Sequence, residues 1–531
     1  MPHPLLLHDY PVILTIACFV VAALVVFLTD SFAMPAEARQ KYKIMRSKRR
    51  VLIESGARLV VIAWIFSLFF MISWRPIYAA QGTASFFIIF TAISRLKFIF
   101  IREPLLFSDI ALVVDVFKYK TIFYATKFNV LFWIAAFAYV FGASSLYMML
   151  EPHVLPNGER AFWIFVAMII FIAPLALVFV KPISRLAARA AQRLLKTLKV
   201  RPDTVRFGTF TSVVLHFLVW LGMNRDVLIG NLSQTVHRVI HDLIEGEHEE
   251  APLILIWQSE SFYDLRHIGD THLHLPTVDR LKKRAAQWGR MTSVFEGGYT
   301  LRTEFAVLSG LRPDDVHADA SYPYLRAAHY SEIVWPMKLL RNGWRTHFIH
   351  PYDRTFFTRH KALPVLGFEE LLMLDSFDYQ LERDGPYVPD MTLTDKVIAT
   401  IEEIAPETPS FLFVASMANH GPWEPGRCGE LTDPVDIYRE LMRQADEALG
   451  ALIARLETSK RPIWLAFYGD HAPLLKSYAD PFPDPRTDYF IVPLGAAHSE
   501  TASPAASREE APWNLFEAIL THAKLYKERF A

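Results

Sequence analysis

The feature that most constrains this chain is a series of long apolar runs confined to roughly its first 224 residues. About 20 apolar residues in a helix cross the ~30 Å hydrocarbon layer, and several such runs in succession read as membrane spans rather than as core. Five run from Tyr10 to Leu28, Leu59 to Ile77, Phe128 to Leu150, Phe162 to Val180 and Phe207 to Met223. A sixth, Thr83 to Ile101, is interrupted by Arg95 and Lys97, cations that either snorkel from a helix end or mark a re-entrant segment. The opening residues, MPHPLLLHDY, lack the basic stretch that precedes a cleavable signal, so the first run is expected to be a retained span.

Charge supplies the orientation. Between the first two spans, ARQKYKIMRSKRR carries seven basic residues, and KPISRLAARAAQRLLKTLKVRPDTVR, before the last span, carries eight. The linkers near QGT and EPHVLPNGER carry none and one. Cationic loops stay in the cytoplasm, so six spans place both basic loops inside and the C-terminal half outside. Over the whole chain Lys+Arg and Asp+Glu balance at 55 each, which leaves no global field pointing to nucleic acid. With only two cysteines, Cys18 and Cys428, on opposite sides of the change in composition, neither a disulfide framework nor a paired-cysteine zinc site is expected.

The expected organisation is a multi-span helical membrane domain over residues 1–224, an amphipathic linker helix over 225–250 and an extracytoplasmic α/β domain over 251–531. In the linker, Leu232, Val236, Val239, Ile240 and Leu243 share one helical face. Beyond it, short apolar runs (PLILIW, THFIH, SFLFVASM, IWLAFYG) alternate with helical patterns such as LPTVDRLKKRAAQWG and DIYRELMRQADEALGALIARLE. That alternation predicts a largely parallel sheet, whose ligands bind beyond the carboxyl ends of the strands. Glu260, His350, His420 and the pair Asp470-His471 all fall at or just beyond such ends. One of them would be an ordinary loop residue. Together they form a set suited to a divalent cation and to acid–base work.

At these residues the chain resembles a known family. Ser259-Glu260-Ser261-Phe262, Thr300-Leu301-Arg302-Thr303-Glu304-Phe305, Asn419-His420-Gly421-Pro422 and Tyr468-Gly469-Asp470-His471 resemble, in order, the signatures of lipoteichoic acid synthase-like enzymes. Those enzymes form part of the sulfatase branch of the alkaline phosphatase superfamily. The resemblance covers most of residues 251–490 and extends weakly to SRLKFIFIREPLLFSDI in the first half. It implies that Glu260, Thr300, Asp470 and His471 hold a metal and that Thr300 attacks phosphorus. It also implies that His350, Phe357, Arg359 and His420 hold the phosphoglycerol head group, Phe357 standing where the family often has Trp. A threonine hydroxyl needs the activation a cation gives, and Arg grips phosphate through paired donors. His420 would protonate a leaving alkoxide or activate an incoming hydroxyl.

Several choices stay open in the sequence. Thr303, Ser309, Ser259 and Ser261 compete with Thr300 as nucleophile, although Thr303 reads as a helix N-cap beside Glu304. Thr300 follows Gly297-Gly298-Tyr299, a turn that would expose its hydroxyl at a helix N-terminus. Arg354 is a second choice for the role of Arg359, and Asp353, His347 and His350 are the nearest residues for a second metal. The oxygen-rich ligand set suits manganese or magnesium better than zinc, which remains an alternative. The expected reaction moves glycerol phosphate from phosphatidylglycerol to an envelope glycan or polymer at a bacterial inner membrane. Phosphoethanolamine transfer, sulfate-ester hydrolysis and a non-catalytic scaffold are the competing readings. Against sulfatase chemistry, TLRTE offers no Cys or Ser for conversion to formylglycine.

Overall fold

The computed structural model describes residues 11–42, 47–112, 118, 130–155, 158–195, 198–235, 250–293, 299–475, 484–497 and 506–525. The chain divides into two compact units, Met1–Met223 and Asn224–Ala531.

The first unit is helical. Pro11–Thr29, Lys48–Ser73, Pro76–Ile101 and Arg160–Phe179 are long and apolar enough to cross a bilayer. Their exposed faces carry residues such as Ile16, Val20, Leu24, Ile89 and Phe165. Val130–Leu150 is also helical, whereas Thr209–Gly222 has 14 residues, fewer than a straight crossing needs. Among the described residues four helices meet the length and apolarity of a crossing, or up to five if the bent pair Thr209–Gly222 and Arg225–Ser233 is one span, which supports a multi-span unit without fixing the number at six.

Two local expectations change. The run from Leu59 to Ile77 is broken at Trp74, whose φ of +53° ends one helix before Pro76 starts the next. Arg75 in that break donates to the Glu151 carbonyl at 2.7 Å, and the Glu151 carboxylate accepts from the backbone N–H groups of Ile77 and Tyr78. Lys97 does not snorkel: its Nζ lies 2.7 Å from Asp109 and 3.2 Å from Glu103, which fold back over the helix end. With Lys97 paired in this way, Pro76–Ile101 continues as one helix past it, while Arg95 reaches the Phe32 carbonyl at 3.4 Å.

The second unit is built on a seven-stranded sheet. Its strands are β1 (Leu253–Ser259), β2 (Gln287–Met291), β3 (Arg345–Ile349), β4 (Glu370–Leu372), β5 (Ser410–Ala415), β6 (Pro462–Gly469) and β7 (Thr487–Gly495). The order is β2-β7-β6-β1-β5-β3-β4, parallel throughout except that β7 runs antiparallel to both β6 and β2. The sheet is therefore mixed at one side. The expected helix LPTVDRLKKRAAQWG stops at Arg284, and Gln287 onward pairs with β7 instead. The β1 and β5 strands are buried along their whole length, which explains their unbroken apolar runs.

Both faces are covered. Leu412 and Val414 of β5 pack into a core with Leu393, Val397 and Ile401 of helix Asp390–Glu403 and with Leu449, Leu452 and Ile453 of helix Pro434–Leu456. The alternate residues Phe411 and Phe413 face the other way, the Phe411 ring lying 4.9 Å from that of Phe516 of helix Pro512–His522 at an angle of 57°. The linker begins as helix Arg225–Thr235, and Arg225 forms a two-pronged ion pair with Asp319 (2.7 and 2.9 Å) in the same unit. Of its expected apolar face, Val236, Val239, Ile240 and Leu243 lie outside the described residues.

Candidate active site

In the parallel pair β1–β6, Ser259 lies opposite Gly469, so the next residues, Glu260 and Asp470, leave adjacent strand ends side by side. Only glycine fits at 469, because a Cβ there would stand 2.1 Å from the Phe262 carbonyl oxygen. Ser261, with a φ of +51°, turns the chain so that its N–H donates to Asp470 Oδ1 at 2.8 Å and its hydroxyl donates to Glu260 Oε1 at 2.8 Å. The Glu260 N–H donates to the Ser416 hydroxyl at 3.0 Å, and Thr303 donates to the Asp470 carbonyl at 3.1 Å. Thr303 is thus not an N-cap. The helix starts three residues earlier, at Thr300, and Thr303 braces the ligand strand.

Glu260, Asp470 and His471 bring one potential ligand atom each within 4.8 Å of one another. His471 Nε2 stands 3.4 Å from Asp470 Oδ2 and 3.5 Å from Glu260 Oε1. Its Nδ1 faces the Ala472 carbonyl at 3.1 Å, which assigns the proton to Nδ1 and leaves a lone pair on Nε2. Asp470 Oδ2 and His471 Nε2 are both buried without a hydrogen-bond partner, a state costing ~1–3 kcal/mol per group unless a ligand completes it. A divalent cation accepts both lone pairs, so these residues fit one. The Thr300 hydroxyl, on the first residue of its helix, lies 3.5 Å from Glu260 Oε2. The Gly297-Gly298 turn before it lies outside the described residues. Burial, and then the neighbouring Glu260, push the Asp470 carboxyl up to about 7. Burial would lower His471, but the charges of Asp470 and Glu260 raise it above the ordinary histidine value. A buried carboxyl whose pKa is raised beside a second carboxylate is what an added cation relieves.

His350 follows β3 and is buried. Its Nε2 accepts from Arg359 at 3.0 Å, so its Nδ1–H donates to the Ala415 carbonyl at 2.9 Å, and burial with the adjacent guanidinium holds it neutral, well below the usual range. Arg359, only 1% exposed, also donates twice to Glu304 (2.8 and 3.3 Å), to which the Tyr324 hydroxyl donates as well. The Phe357 ring lies 5.3 Å from that guanidinium, its backbone held at a φ of +54°. The guanidinium is therefore already committed to a carboxylate, a partnership that sequence spacing did not reveal. Arg354 pairs instead with Asp375 in an exposed position.

The His420 Nδ1 lies 2.6 Å from the Gly421 carbonyl, which assigns its proton there and leaves Nε2 as an acceptor. Burial pulls it down to about 4, with Gly421, His471 and Arg427 contributing smaller effects. Tyr387 braces the same loop through the Gly421 carbonyl at 3.2 Å. The influence of His471 on His420, and of His420 on His350, shows that the strand-end residues share one region.

Two residues escaped the sequence reading. Asp390, the first residue of helix Asp390–Glu403, is buried with Oδ1 unpartnered, and burial followed by Glu260 pushes it up to about 7. An acid at a helix start reads as a dipole partner, which masks it. Ser416, directly after β5, gave no signal at all. Of the residues considered for a second metal, His347 pairs with Glu370 at 3.1 Å. A second cluster, Asp264, His267 and Asp488, does have ligand spacing.

Residues 252–525 match the Sulfatase family. The chain is 61% identical over 525 residues to the capsular polysaccharide biosynthesis protein RkpI of Rhizobium meliloti (strain 1021), spanning 99% of this chain and 97% of that protein. It is 24% identical over 306 residues to a putative cyclic beta-1,2-glucan modification protein of the same organism, spanning 53% and 46%. The integral membrane protein lipooligosaccharide phosphoethanolamine transferase A from Neisseria meningitidis shares the fold, with a TM-score of 0.51 over 95% of each chain at 12% identity.

Proposed function

The chain belongs to the sulfatase family, and from that premise we propose that it is a membrane phosphoglycerol transferase acting on a cell-envelope glycan or polymer. The observation that carries the reading is the convergence of two unpartnered buried ligand atoms, Asp470 Oδ2 and His471 Nε2, on the region of the Thr300 hydroxyl. The capsule and glucan connections of its relatives support an envelope acceptor. The basic stretches at 38–50 and 181–206 support an extracytoplasmic catalytic unit.

Glu260, Asp470, His471 and Thr300 would hold the cation, which when bound favours the alkoxide of Thr300 and offsets charge on the phosphoryl oxygens. Thr300 Oγ attacks the phosphorus of phosphatidylglycerol. An Oγ–P bond forms, the P–O bond to diacylglycerol breaks, and the hydroxyl proton passes overall to the departing alkoxide. Diacylglycerol then stays in the bilayer while a phosphoglycerol ester remains on Thr300. In the second half-reaction an acceptor hydroxyl attacks the same phosphorus and gives up its proton, and Thr300 Oγ leaves and regains one. His420 suits the base in that step because it is neutral, with Nε2 free to accept. Arg359, held by Glu304 and by the Nε2 of His350, keeps further N–H groups for the head group, and His350, anchored on the Ala415 carbonyl, positions it.

The test is incubation of the purified protein with head-group-labelled phosphatidylglycerol or phosphatidylethanolamine, with and without manganese. The reading predicts metal-dependent diacylglycerol release from phosphatidylglycerol only. Release from phosphatidylethanolamine alone would reassign the donor, and release from neither would overturn transferase chemistry.

A further inference from the structure

A cavity of about 410 Å³ opens within the membrane unit, none of its lining residues belonging to the site described above. Its walls are of two kinds. One is charged: Asp30, Arg39 and Arg58 line it. Asp30 is fully engaged, accepting from Arg58 at 2.7 Å and from the Thr209 N–H at 3.1 Å. Gly208 makes room for that carboxylate, since a Cβ there would meet Asp30 Oδ2 at 2.0 Å. The Arg58 guanidinium also lies 3.8 Å over the Phe27 ring. The Asp30–Arg58 pair is thus internally neutral, and Arg39 leaves the lining with one net positive charge. On this wall Arg39 Nε and the hydroxyl of Thr204, a residue only 3% exposed, are buried donors without a hydrogen-bond partner among the described residues. Buried donors left open in this way point to an acceptor that completes them.

The other wall is apolar, formed by Phe27, Met34 and Val205. It adjoins the end of helix Pro11–Thr29, where Leu28 (69% exposed) and Phe32 (67% exposed) continue the apolar surface outward. A small inorganic anion would use only the first wall. An amphiphile uses both, and the volume lies in the range of a pocket for a small ligand.

We infer that this cavity binds an anionic phospholipid, with Arg39 Nε and the Thr204 hydroxyl donating to its phosphate oxygens and Phe27, Met34 and Val205 receiving its glycerol backbone. The basic stretch 38–50, which contains Arg39, puts the site in the leaflet on the basic side of the membrane. The inference is independent of the proposed transfer reaction and describes a lipid site separate from the catalytic centre.

The experiment is native mass spectrometry of the full-length protein in a neutral detergent, titrated with dioleoyl phosphatidic acid, dioleoyl phosphatidylcholine or inorganic phosphate. Phosphatidic acid is expected to fill one site more tightly than the other two. The double variant Arg39→Gln/Thr204→Val should weaken it on the order of ten-fold, the effect of losing a charge-assisted hydrogen bond. Ala36→Phe, which fills the cavity from an exposed lining position, should weaken it as well without touching either donor. Asp470→Asn should leave it unchanged. Equal binding of phosphatidylcholine would mean an unselective lipid annulus, and equal binding of phosphate would mean a free-anion site. Either result overturns the inference, as does loss of binding in Asp470→Asn, or unchanged binding in both cavity variants.

Discussion

Two clusters in the catalytic unit have the same composition, two carboxylates and an imidazole with ligand atoms within 4.8 Å, yet opposite surroundings. In the first, Asp470 Oδ2 and His471 Nε2 are buried and unpartnered, and burial with mutual repulsion raises the pKa of Asp470. In the second, Lys282 lies 2.8 Å from Asp488, Arg290 2.9 Å from its other oxygen, and Arg266 2.7 Å from Asp264. Burial alone would raise Asp488, but Lys282, His267 and Arg290 hold it far below the usual carboxylate value. The protein's own cations already occupy the second cluster. Ligand spacing therefore does not identify a metal centre; the charge left uncompensated does.

Substitutions that exchange the fates of these clusters give the largest effects. Asp470→Asn and Thr300→Ala should each reduce transfer by ~10³-fold or more, since one removes a ligand and the other the proposed nucleophile. Both should retain normal thermal unfolding, because each relieves or leaves untouched a crowded site. Asp488→Asn should do the reverse. It strands Lys282 and Arg290 and should cost ~3–5 kcal/mol of stability, read from denaturant unfolding, with activity per folded molecule retained. Normal stability in Asp488→Asn would break the comparison.

Glu304→Gln tests the same logic at the head-group end. The neutral isostere leaves the Arg359 guanidinium buried without its carboxylate, and a loss of ~3 kcal/mol in stability is expected. A raised KM for the donor lipid should accompany it if Arg359 is positioned by Glu304, with partial rescue by Glu304→Asp. An unchanged KM at reduced stability would make the pair purely structural.

The smallest effect concerns pH. His350 and His420 both have folded pKa values below the ordinary 6.5, so the unfolded chain binds more protons than the folded one between those values. Stability from this source is full above about 6.5 and is lost as pH falls below it, toward about 4 for His420. Replacing His350 with Asn should flatten the acid side of the stability profile by about 1.4 kcal/mol per pH unit over the part of the window it controls. A profile with an unchanged slope would contradict the neutral assignment of His350.

What was legible in the sequence follows from the same physics. Glu260 and Asp470-His471 could be found because they directly follow β1 and β6, whose buried apolar runs announce themselves, and a chain-order motif survives any register. His350 was legible in the same way. The β2 and β7 strands were not, because QWGRM reads as the tail of a charged helix and gains its partner only through long-range antiparallel pairing. Nor were the Glu304–Arg359 pair or the cations around Asp488, which join residues 55, 198 and 206 positions apart. In the membrane unit, apolarity located the helices, but their breaks depend on Trp74 adopting a left-handed conformation and on Glu151 capping from a distant segment.

Metal stoichiometry tests the central claim most directly. The full-length protein, its Asp470→Asn variant and its Asp488→Asn variant would be equilibrated with manganese, freed of excess and analysed by elemental mass spectrometry. The account predicts about one equivalent in the unmodified protein and in Asp488→Asn, and a loss of ten-fold or more in affinity in Asp470→Asn. Metal retained undiminished in Asp470→Asn, or lost selectively from folded Asp488→Asn, would contradict it.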